Sequence, residues 1–431
     1  MPSLLVRGGT VLTQDAARRV IRGDVYAEDG LVRSVGEGCP QDADVVVDAE
    51  GGLVLPGLVN LHTHSPMTLL RGLADDLPLE RWLSERVWPV EAQLTEADVE
   101  AGAALAVAEM LASGTTSFND MYFFPAAAAR VASAAGIRAW IATPFLDFPT
   151  PETQPDRMPD LARVFTRRWR GHALVTPTLA PHAVYTCSDA TLAEVAALRT
   201  ELAAQVHTHC SETRTEVYEV EAARAARPVA VLERHGLLAG SVLAHCGWVT
   251  KDEVRRIATE GAAVAHCPTS NMKLATGGWL PLPELWEAGG VAGLGTDGAA
   301  SNNTLDVFQE MKLAALVHKA HRWDASVAPA QRVLDMGTRD GARALHRDDL
   351  GSIEAGKRAD LVVVDATRPH LAPLHDPASQ VVYAARAGDV AQTIVDGRVL
   401  YDRGRYATLD IEKVVERARE AAARVAKAVP R

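Results

Sequence analysis

The sequence predicts an α/β fold: a (β/α)8 barrel of the TIM type with a small β-sandwich that both chain ends build together. Three observations support it. Eight short apolar runs alternate with helical patterns over residues 58–350, both ends are rich in short strands, and five runs finish at or near a histidine. Strands that alternate with helices pair in parallel. Eight such units over roughly 290 residues fit the ~250 typical of this barrel.

Short strands punctuated by Gly and Asp are predicted at both ends, in residues 1–57 and 351–431. Examples are SLLVRGGTVL and GDVYAEDGLVRSVG near the start, and RADLVVVDA and DVAQTIVDGRVLYDRGRY near the finish. Sheet edges exposed at both ends can satisfy each other by pairing, so we expect one β-sandwich domain. An amphipathic pattern from Ile411 to Val429 predicts a helix on its surface.

The middle of the chain, residues 58–350, is predicted to form the (β/α)8 barrel. Its clearest helix begins at the cap Thr95 and ends near Gly114. The eight strand candidates are LVNLHTH (58–64), TTSFND (115–120), IRAWIAT (137–143), LVTPTLAPH (174–182), QVHTHC (205–210), SVLAHC (241–246), AAVAHC (262–267) and VAGLGTD (291–297).

Composition excludes several classes of function. The net charge of −11 argues against a nucleic-acid surface, which needs a basic patch, and no apolar run is long enough to cross a bilayer. The amino terminus shows no signal-peptide pattern, and the five cysteines include no CxxC pair. We therefore expect a reduced, cytoplasmic protein that handles small molecules, with no nucleic-acid or membrane partner.

Histidines mark the carboxyl ends of the predicted strands, where a barrel of this kind places its active site. In His62-Thr63-His64 the two imidazoles lie two apart on a strand and point to the same face, so both can bind one ion. His207-Thr208-His209 repeats the spacing, and Asp297 ends the eighth strand. One such pair is a weak signal, but this combination predicts a zinc site with a position left for water.

The same alternation separates ligands from packing residues. If His209 faces the barrel interior, Cys210 faces the surrounding helices, and Cys246 and Cys267 follow the same rule, so these cysteines are expected to be buried packing residues. His207 is expected in the core, one layer deeper than His209. His266 either supports the site or packs, and the seven histidines outside the strand ends are expected to lie in helices or loops.

Longer stretches of the chain resemble the amidohydrolase superfamily, in its branch of methylthioadenosine/S-adenosylhomocysteine deaminases. The matching stretches are PGLVNLHTHSPMTLLRGLADDLPLERWL, ERVWPVEAQLT, EMLASGTTSFNDMYFF, APHAVYTCS, HTHCSET, HCPTSNMKLATGG, LGTDGAASNNTLDVFQEMKLAAL and GSIEAGKRADLVVVD. The similarity covers essentially the whole chain. The combination of HTH, HxxE and TDGAASNN is far more specific than any one of these motifs.

The resemblance implies a role for each matching residue. It implies one metal ion per subunit, held by His62, His64, His209 and Asp297, with zinc expected and iron or manganese able to fill the same ligands. The strand 4 segment lacks the lysine that two-metal relatives carry. Glu212 would be the proton shuttle.

Four further roles follow from the resemblance. His245 would orient the attacking hydroxide or polarise the leaving group. Glu91 and His182 would hold the ribose hydroxyls, and Trp88 would flank the base. Without the resemblance, Glu91 in WPVEAQL reads as an ordinary helix start and His182 as a loop residue.

The reaction implied is hydrolytic removal of the 6-amino group of an adenosine-type nucleoside. Zinc lowers the pKa of water from about 15.7 to about 7. Asp297 takes the proton of that water, and Glu212 protonates N1 of the purine so that C6 becomes electrophilic. Hydroxide then adds to C6, and Glu212 or Asp297 carries a proton to the departing ammonia.

The 5′ substituent is predicted from the segment that leaves the third strand. The amino-acid tail of S-adenosylhomocysteine presents a carboxylate, which an arginine binds best. Residues 139–156 contain no Lys or Arg and offer Phe145 and Phe148 instead. Methylthioadenosine and adenosine are therefore favoured, unless Arg157 or a neighbouring subunit supplies the cation.

Three alternatives remain open. An enzyme of the same superfamily that acts on guanine-like purines, aminofutalosine or s-triazines would share the metal ligands but not the ribose-binding pair Glu91 and His182. A non-catalytic barrel scaffold would be expected to lose a ligand, and a metal store or sensor would not need Glu212. The resemblance also implies a homo-oligomer, a dimer or a tetramer.

Overall fold

The computed structural model describes residues 2–428 of the 431-residue chain. Five strands come first: β1 Leu4–Leu12, β2 Val20–Glu28, β3 Leu31–Gly36, β4 Val45–Asp48 and β5 Leu53–Pro56. β1 pairs antiparallel with β2, and their register shifts between Val6 and Gly9. Gly8 lies inside this bulge at φ 76°, a left-handed conformation that glycine adopts without strain.

Eight parallel strands follow, and each overlaps one of the predicted strands. They are β6 Leu58–Thr63, β7 Thr115–Met121, β8 Arg138–Phe145, β9 Val175–Pro181, β10 His207–Cys210, β11 Val242–His245, β12 Ala263–His266 and β13 Val291–Leu294. They form two parallel four-stranded sheets, in the orders β6-β7-β8-β9 and β10-β11-β12-β13. Since the strands are parallel, their carboxyl ends lie on one side.

The two sheets adjoin along both pairs of edges. Parallel bridges link Leu179 with Val206 and Ala183 with His209, next to β9 and β10. At the other edge, beyond β13, the backbone N–H of Asp297 donates to the carbonyl of His62 at 3.0 Å. The first and last strands therefore deliver their carboxyl-terminal residues to the same place.

Helices separate the strands as the sequence predicted. The described helices are α1 Leu79–Trp82, α2 Trp88–Glu91, α3 Glu96–Ala112, α4 Pro125–Ala135, α5 Met158–Trp169, α6 Asp189–Leu202, α7 Arg214–Arg224, α8 Pro228–Arg234, α9 Lys251–Thr259, α10 Pro268–Lys273, α11 Leu282–Glu287, α12 Val307–Arg322, α13 Ala330–Gly337, α14 Arg339–Ala344, α15 Pro377–Tyr383 and α16 Ile411–Val425. Thr95 caps α3 together with Asp98, and Gly114 follows the helix at φ 83°, as the sequence indicated. The predicted end of the last helix, Val429, lies outside the described residues.

Strands from both chain ends pair in a single sheet. The later strands are β14 Leu361–Val364, β15 Val390–Val395, β16 Arg398–Asp402 and β17 Arg405–Tyr406. The nine-stranded sheet runs β17-β16-β15-β14-β5-β1-β2-β3, and β4 also pairs with β1. β5 from the amino-terminal part lies antiparallel to β14, with Pro56 opposite Leu361. The expected pairing of the two ends is therefore confirmed.

The core lies between the parallel strands and the helices. Cys210 and Cys246 are fully buried among side chains of these helices, as the strand alternation predicted. Cys267 is equally buried, and its sulfur lies beside Gly295, the residue that follows β13. Between residues 2 and 428 no helix is long and apolar enough to cross a membrane.

Candidate active site

A cavity opens at the carboxyl ends of the parallel strands. It collects the side chains that the sequence singled out. Those lining it are His64, Trp88, Glu91, His182, His209, Glu212, His245 and Asp297. His62 is completely buried, with its Nε2 3.4 Å from Oδ1 of Asp297. Every predicted site residue is thus either in the wall of this cavity or in contact with it.

The deepest part of the cavity concentrates metal-ligating atoms. His62, His209, His245 and Asp297 each offer one such atom, and these atoms all lie within 4.8 Å of one another. His64 adds a fifth donor, because its Nε2 lies 3.2 Å from Oδ1 of Asp297 and 3.3 Å from Nε2 of His209. The four ligands predicted from the sequence are therefore brought together, and His245 joins them at the same centre.

Hydrogen bonds on the far side of each ring fix the orientation of the histidines. Nδ1 of His64 donates to the carbonyl of Met121 at 2.6 Å, and Nδ1 of His209 donates to the carbonyl of His182 at 2.7 Å. Nδ1 of His62 shares a hydrogen bond of 2.8 Å with Nε2 of His207. Each contact leaves Nε2 facing the centre, as in metal-bound histidines whose other nitrogen is held by the protein.

The donor atoms at this centre are suited to a metal ion. Nε2 of His62 has no hydrogen-bond partner in the described part of the chain, although it is buried. Such an orphaned nitrogen is costly unless a ligand satisfies it. Three imidazoles and one carboxylate are the donors that zinc prefers. The residues present therefore fit a divalent metal ion.

Burial and mutual charges set the protonation of the site. Burial lowers the pKa of His62 to about 4 and that of His209 well below its usual value, so both imidazoles are neutral and free to ligate. Burial also opposes charge on His64, but Asp297 outweighs it and raises the pKa of His64 to about 9. For Asp297, His62 and His64 overcome the effect of burial and hold the pKa well below its ordinary value.

Hydroxyl groups that the sequence did not identify hold Asp297 in place. Its Oδ2 accepts hydrogen bonds from the hydroxyls of Ser270 at 2.6 Å and Ser301 at 2.8 Å. Its Oδ1 accepts from the backbone N–H of Gly298 at 2.8 Å. Asp297 itself has φ 60°. The carboxylate is thus fixed by three donors, one from α10 and two from the turn after β13.

Glu212 and His245 face each other at the edge of the donor cluster. Oε2 of Glu212 lies 3.8 Å from Nε2 of His245. Burial raises the pKa of Glu212 above its usual value, which favours a protonated carboxyl group. Nδ1 of His245 approaches Oδ1 of Asn271 at 3.5 Å. A buried carboxyl group and an imidazole therefore stand side by side, next to the cluster of possible metal ligands.

The outer wall carries the predicted substrate contacts. Glu91 is buried, and burial raises its pKa to about 6, while the neighbouring Tyr122 hydroxyl opposes this shift. Burial lowers the pKa of His182 to about 3, so its ring is neutral, and its Nδ1 shares a hydrogen bond of 3.0 Å with Thr186 Oγ1. Trp88, part of α2, is partly exposed at the mouth, with its ring 6.0 Å from that of Phe148.

One residue expected at the substrate does not reach it. Phe145 is buried in the core, whereas Phe148 lines the cavity. Phe145 still belongs to β8, and its carbonyl accepts the backbone N–H of His182 at 3.0 Å. The strand continues two positions beyond its predicted end at Thr143, so Phe145 belongs to the strand and packs inward.

His207, Tyr122 and Tyr185 are site residues that sequence reasoning missed or undervalued. His207 was expected only to pack, but it contacts His62 directly; its position two residues before His209 was the available signal. Tyr122 and Tyr185 line the cavity, and no sequence pattern pointed to them. His266 lies outside the cavity and pairs instead with His318 of α12, at 3.2 Å between their Nε2 atoms.

Comparisons with known proteins agree with this geometry. The model of the amidohydrolase family matches residues 53–400. A 5-methylthioadenosine/S-adenosylhomocysteine deaminase of Nitratidesulfovibrio vulgaris is 44% identical over 97% of this chain and 96% of its own. A 5′-deoxyadenosine deaminase of Methanosarcina mazei is 42% identical, with 98% of each chain covered.

A solved structure extends the agreement to three dimensions. The crystal structure of an adenosine deaminase from Xanthomonas campestris with bound zinc superimposes with a TM-score of 0.95 at 38% identity, and 98% of each chain is covered. The resemblance seen in the sequence motifs is thereby confirmed over the full length of the match, and the family and its solved member imply a TIM-type barrel. The chain belongs to the amidohydrolase family.

Proposed function

We propose that this protein is a zinc-dependent hydrolytic deaminase of adenosine-type nucleosides, which it converts to the inosine analogues with release of ammonia. The observation that carries the proposal is the cavity itself. It combines a metal-ligating cluster with a buried proton donor, Glu212, and with two candidate ribose ligands, Glu91 and His182, on the outer wall. The relatives named as deaminases of adenosine derivatives support the same reaction.

For the architecture, we propose that the two parallel sheets close into one (β/α)8 barrel over residues 58–350. The bridges beside β9 and β10 and the hydrogen bond from Asp297 to His62 support closure. Residues 1–57 and 351–431 would form the β-sandwich, which is supported by the pairing of β5 with β14. A homo-oligomer and a cytoplasmic location remain expectations; the five free cysteines are consistent with the latter.

The proposed metal ligands are His62, His64, His209 and Asp297, with zinc as the expected ion. When bound, zinc supplies a water molecule whose pKa is lowered to about 7 and therefore a nucleophile at neutral pH. The unpartnered Nε2 of His62 and the fixed rings of His64 and His209 support this assignment. Iron or manganese would be held by the same residues.

The chain's own groups account for the proton transfers. Glu212, whose pKa is raised by burial, gives a proton to N1 of the purine and makes C6 electrophilic. As the oxygen of water adds to C6, its proton passes to Asp297. A proton then reaches the 6-amino nitrogen, the C6–N bond breaks, and ammonia leaves. His245, beside Glu212, orients the attacking oxygen.

The outer wall fits a nucleoside better than a free base. Glu91 and His182 would bind the two ribose hydroxyls, and Trp88 would flank the base. Around the mouth the lining is aromatic and aliphatic, with Trp88 and Phe148 in contact. Among the described residues no lysine or arginine lines this cavity. We therefore propose methylthioadenosine and adenosine as better substrates than S-adenosylhomocysteine, whose carboxylate would lack a cation.

The test is the ultraviolet shift from adenine to hypoxanthine nucleosides with zinc-loaded protein. Adenosine, methylthioadenosine, 5′-deoxyadenosine and S-adenosylhomocysteine are compared, with guanine and an s-triazine as substrates of other members of the superfamily. Turnover of an adenosine derivative that is lost on chelation and restored by zinc is expected. No turnover of any nucleoside by zinc-loaded protein would refute the substrate assignment. Preferential turnover of S-adenosylhomocysteine would refute the assignment of the 5′ group.

A further inference from the structure

A second buried carboxylate lies behind Glu212. Glu216, in the first turn of α7, is 4% exposed. One of its oxygens accepts the backbone N–H of Ser211 at 2.9 Å, and the other accepts the backbone N–H of Glu212 at 2.7 Å. The two oxygens of one carboxylate therefore accept hydrogen bonds from two consecutive backbone amides, and the second amide belongs to Glu212, the candidate proton donor.

This arrangement differs from ordinary capping of a helix. Thr213 caps α7, and its hydroxyl accepts the backbone N–H of Glu216 at 3.1 Å. In a capping box the side chain of the residue in Glu216's position reaches back to the amide of the cap itself. Here the Glu216 carboxylate also approaches the amide of Thr213, but its two hydrogen bonds go to the two preceding amides. Ser211 has φ 50°, a left-handed conformation that a non-glycine residue keeps only when its surroundings hold it.

The charge of Glu216 is not neutralised by an ion pair. The groups that act on the Glu216 carboxyl among the described residues are Glu212 and three backbone amides, and none of them is a cation. Burial, followed by the nearby charge of Glu212, raises its pKa to about 7. The titratable groups that face the pair are Tyr185 after β9, His245 of β11, Asp297 after β13 and His64 after β6. A buried acid without a cation is costly to retain for stability alone.

We propose that Glu216 is a positioning residue, which holds the Ser211–Glu212 peptide so that the Glu212 side chain points at the purine ring beside His245. The inference rests on the function proposed above, because it assigns Glu212 as the proton donor. Glu216 touches neither substrate nor metal in this account. It acts through the backbone of Glu212, and a displacement of the donor by about 1 Å can reduce the rate on the order of 100-fold.

The test is Glu216→Asp, which retains the carboxylate but is shorter by one methylene. The aspartate can reach the amide of Thr213 and form an ordinary capping box, so we expect the variant to fold, but it cannot hold Ser211 and Glu212. We expect kcat for methylthioadenosine or adenosine to fall about 10- to 100-fold, KM to change less than about twofold, and zinc content to be unchanged.

Two control variants separate positioning from capping. Thr213→Ala removes the cap of α7 without touching the amides of Ser211 and Glu212, and we expect a melting temperature lower by a few degrees with kcat within about threefold of wild type. Glu219→Gln changes an exposed acid on the same helix and should leave both values unaltered. If Glu216→Asp does not fold, Glu216→Gln, which keeps the side-chain length and one acceptor, takes its place with the same expected loss of kcat.

Wild-type kcat in the Glu216 variant would overturn the proposal, as would an equal loss in Thr213→Ala. Crystals of Glu216→Asp provide a readout that does not depend on activity. We expect Glu212 Oε2 to move away from Nε2 of His245, from which it lies 3.8 Å in the wild type. An unchanged distance would also overturn the inference. If the wild type deaminates none of the nucleosides, the proposed function fails separately, and the crystallographic distance still decides the role of Glu216.

Discussion

His207 provides the sharpest test of how the site is held together, because the substitution His207→Phe keeps the ring but removes its nitrogens. The hydrogen bond of 2.8 Å to Nδ1 of His62 is then lost, and that nitrogen is left buried without a partner. Loss of such a supporting contact typically reduces metal affinity by about 10- to 100-fold. This corresponds to about 1.4–2.7 kcal/mol, within the range of about 1–3 kcal/mol for an unsatisfied buried group.

The assay is zinc affinity by competition with a chromogenic chelator, with kcat at saturating zinc measured in parallel. We expect a weaker zinc Kd by about 10- to 100-fold, with most of kcat recovered when zinc is added in excess. The matched control is His318→Phe, since His318 is equally buried and also pairs with another imidazole, that of His266. A zinc Kd for His207→Phe within twofold of wild type would refute the reasoning. An equal loss of zinc affinity in His318→Phe would show that the effect comes from general destabilisation and not from the contact with His62.

Three further predictions concern catalysis, substrate choice and pH. Glu212→Gln should lower kcat by about 100- to 10,000-fold while zinc binding is kept; measured turnover above a tenth of wild type would contradict its role as the proton donor. Phe148→Arg places a guanidinium at the cavity mouth, where it can bind the carboxylate of S-adenosylhomocysteine. In steady-state kinetics we expect the ratio of kcat/KM for S-adenosylhomocysteine to kcat/KM for methylthioadenosine to rise about tenfold. An unchanged ratio would contradict the proposed position of the 5′ group. Burial raises the pKa of Glu152, which accepts the backbone N–H of Phe124, to about 7 from 4.5 in the unfolded chain. The folded protein therefore binds this proton more tightly, and the carboxyl's contribution to stability is lost as pH rises from 4.5 to about 7. In urea titrations the free energy of unfolding of Glu152→Gln should equal that of wild type below pH 4.5. Above pH 7 it should exceed the wild-type value by about 1–2 kcal/mol, after allowance for solvent screening. A difference in unfolding free energy that does not change with pH would contradict this prediction.

The sequence predicted the strands and the ligand-bearing ends because both depend on local patterns. Period-two alternation places His62 and His64 on one face and makes Cys210 point away from His209, whatever the rest of the fold does. The pairing of the two chain ends followed from the same reasoning, since exposed strand edges require partners. The metal cluster was therefore predictable before the relative positions of the strands were known.

Several supporting contacts could not be predicted, because they form only when separate elements meet in the folded chain. Ser270 of α10 and Ser301 of the turn after β13 both donate to Asp297, and no spacing in the sequence indicates this pairing. Glu91 is buried in α2, which follows a turn of π-helix at Leu83–Val87, and helix propensity does not encode such a turn. Phe145 was assigned to the substrate wall because the length of its strand was underestimated, and strand ends are the least certain part of a sequence pattern.

The measurement that tests the central claim most directly is the reaction of methylthioadenosine in ¹⁸O-labelled water, with zinc-loaded wild-type protein. Mass spectrometry of the product and an ammonia assay are run on the same samples. A hydrolytic deaminase yields the hypoxanthine nucleoside with one labelled oxygen and one ammonia for each nucleoside consumed. A product without the label, or nucleoside consumed without ammonia, would contradict the assignment of the cavity as a hydrolytic deaminase site.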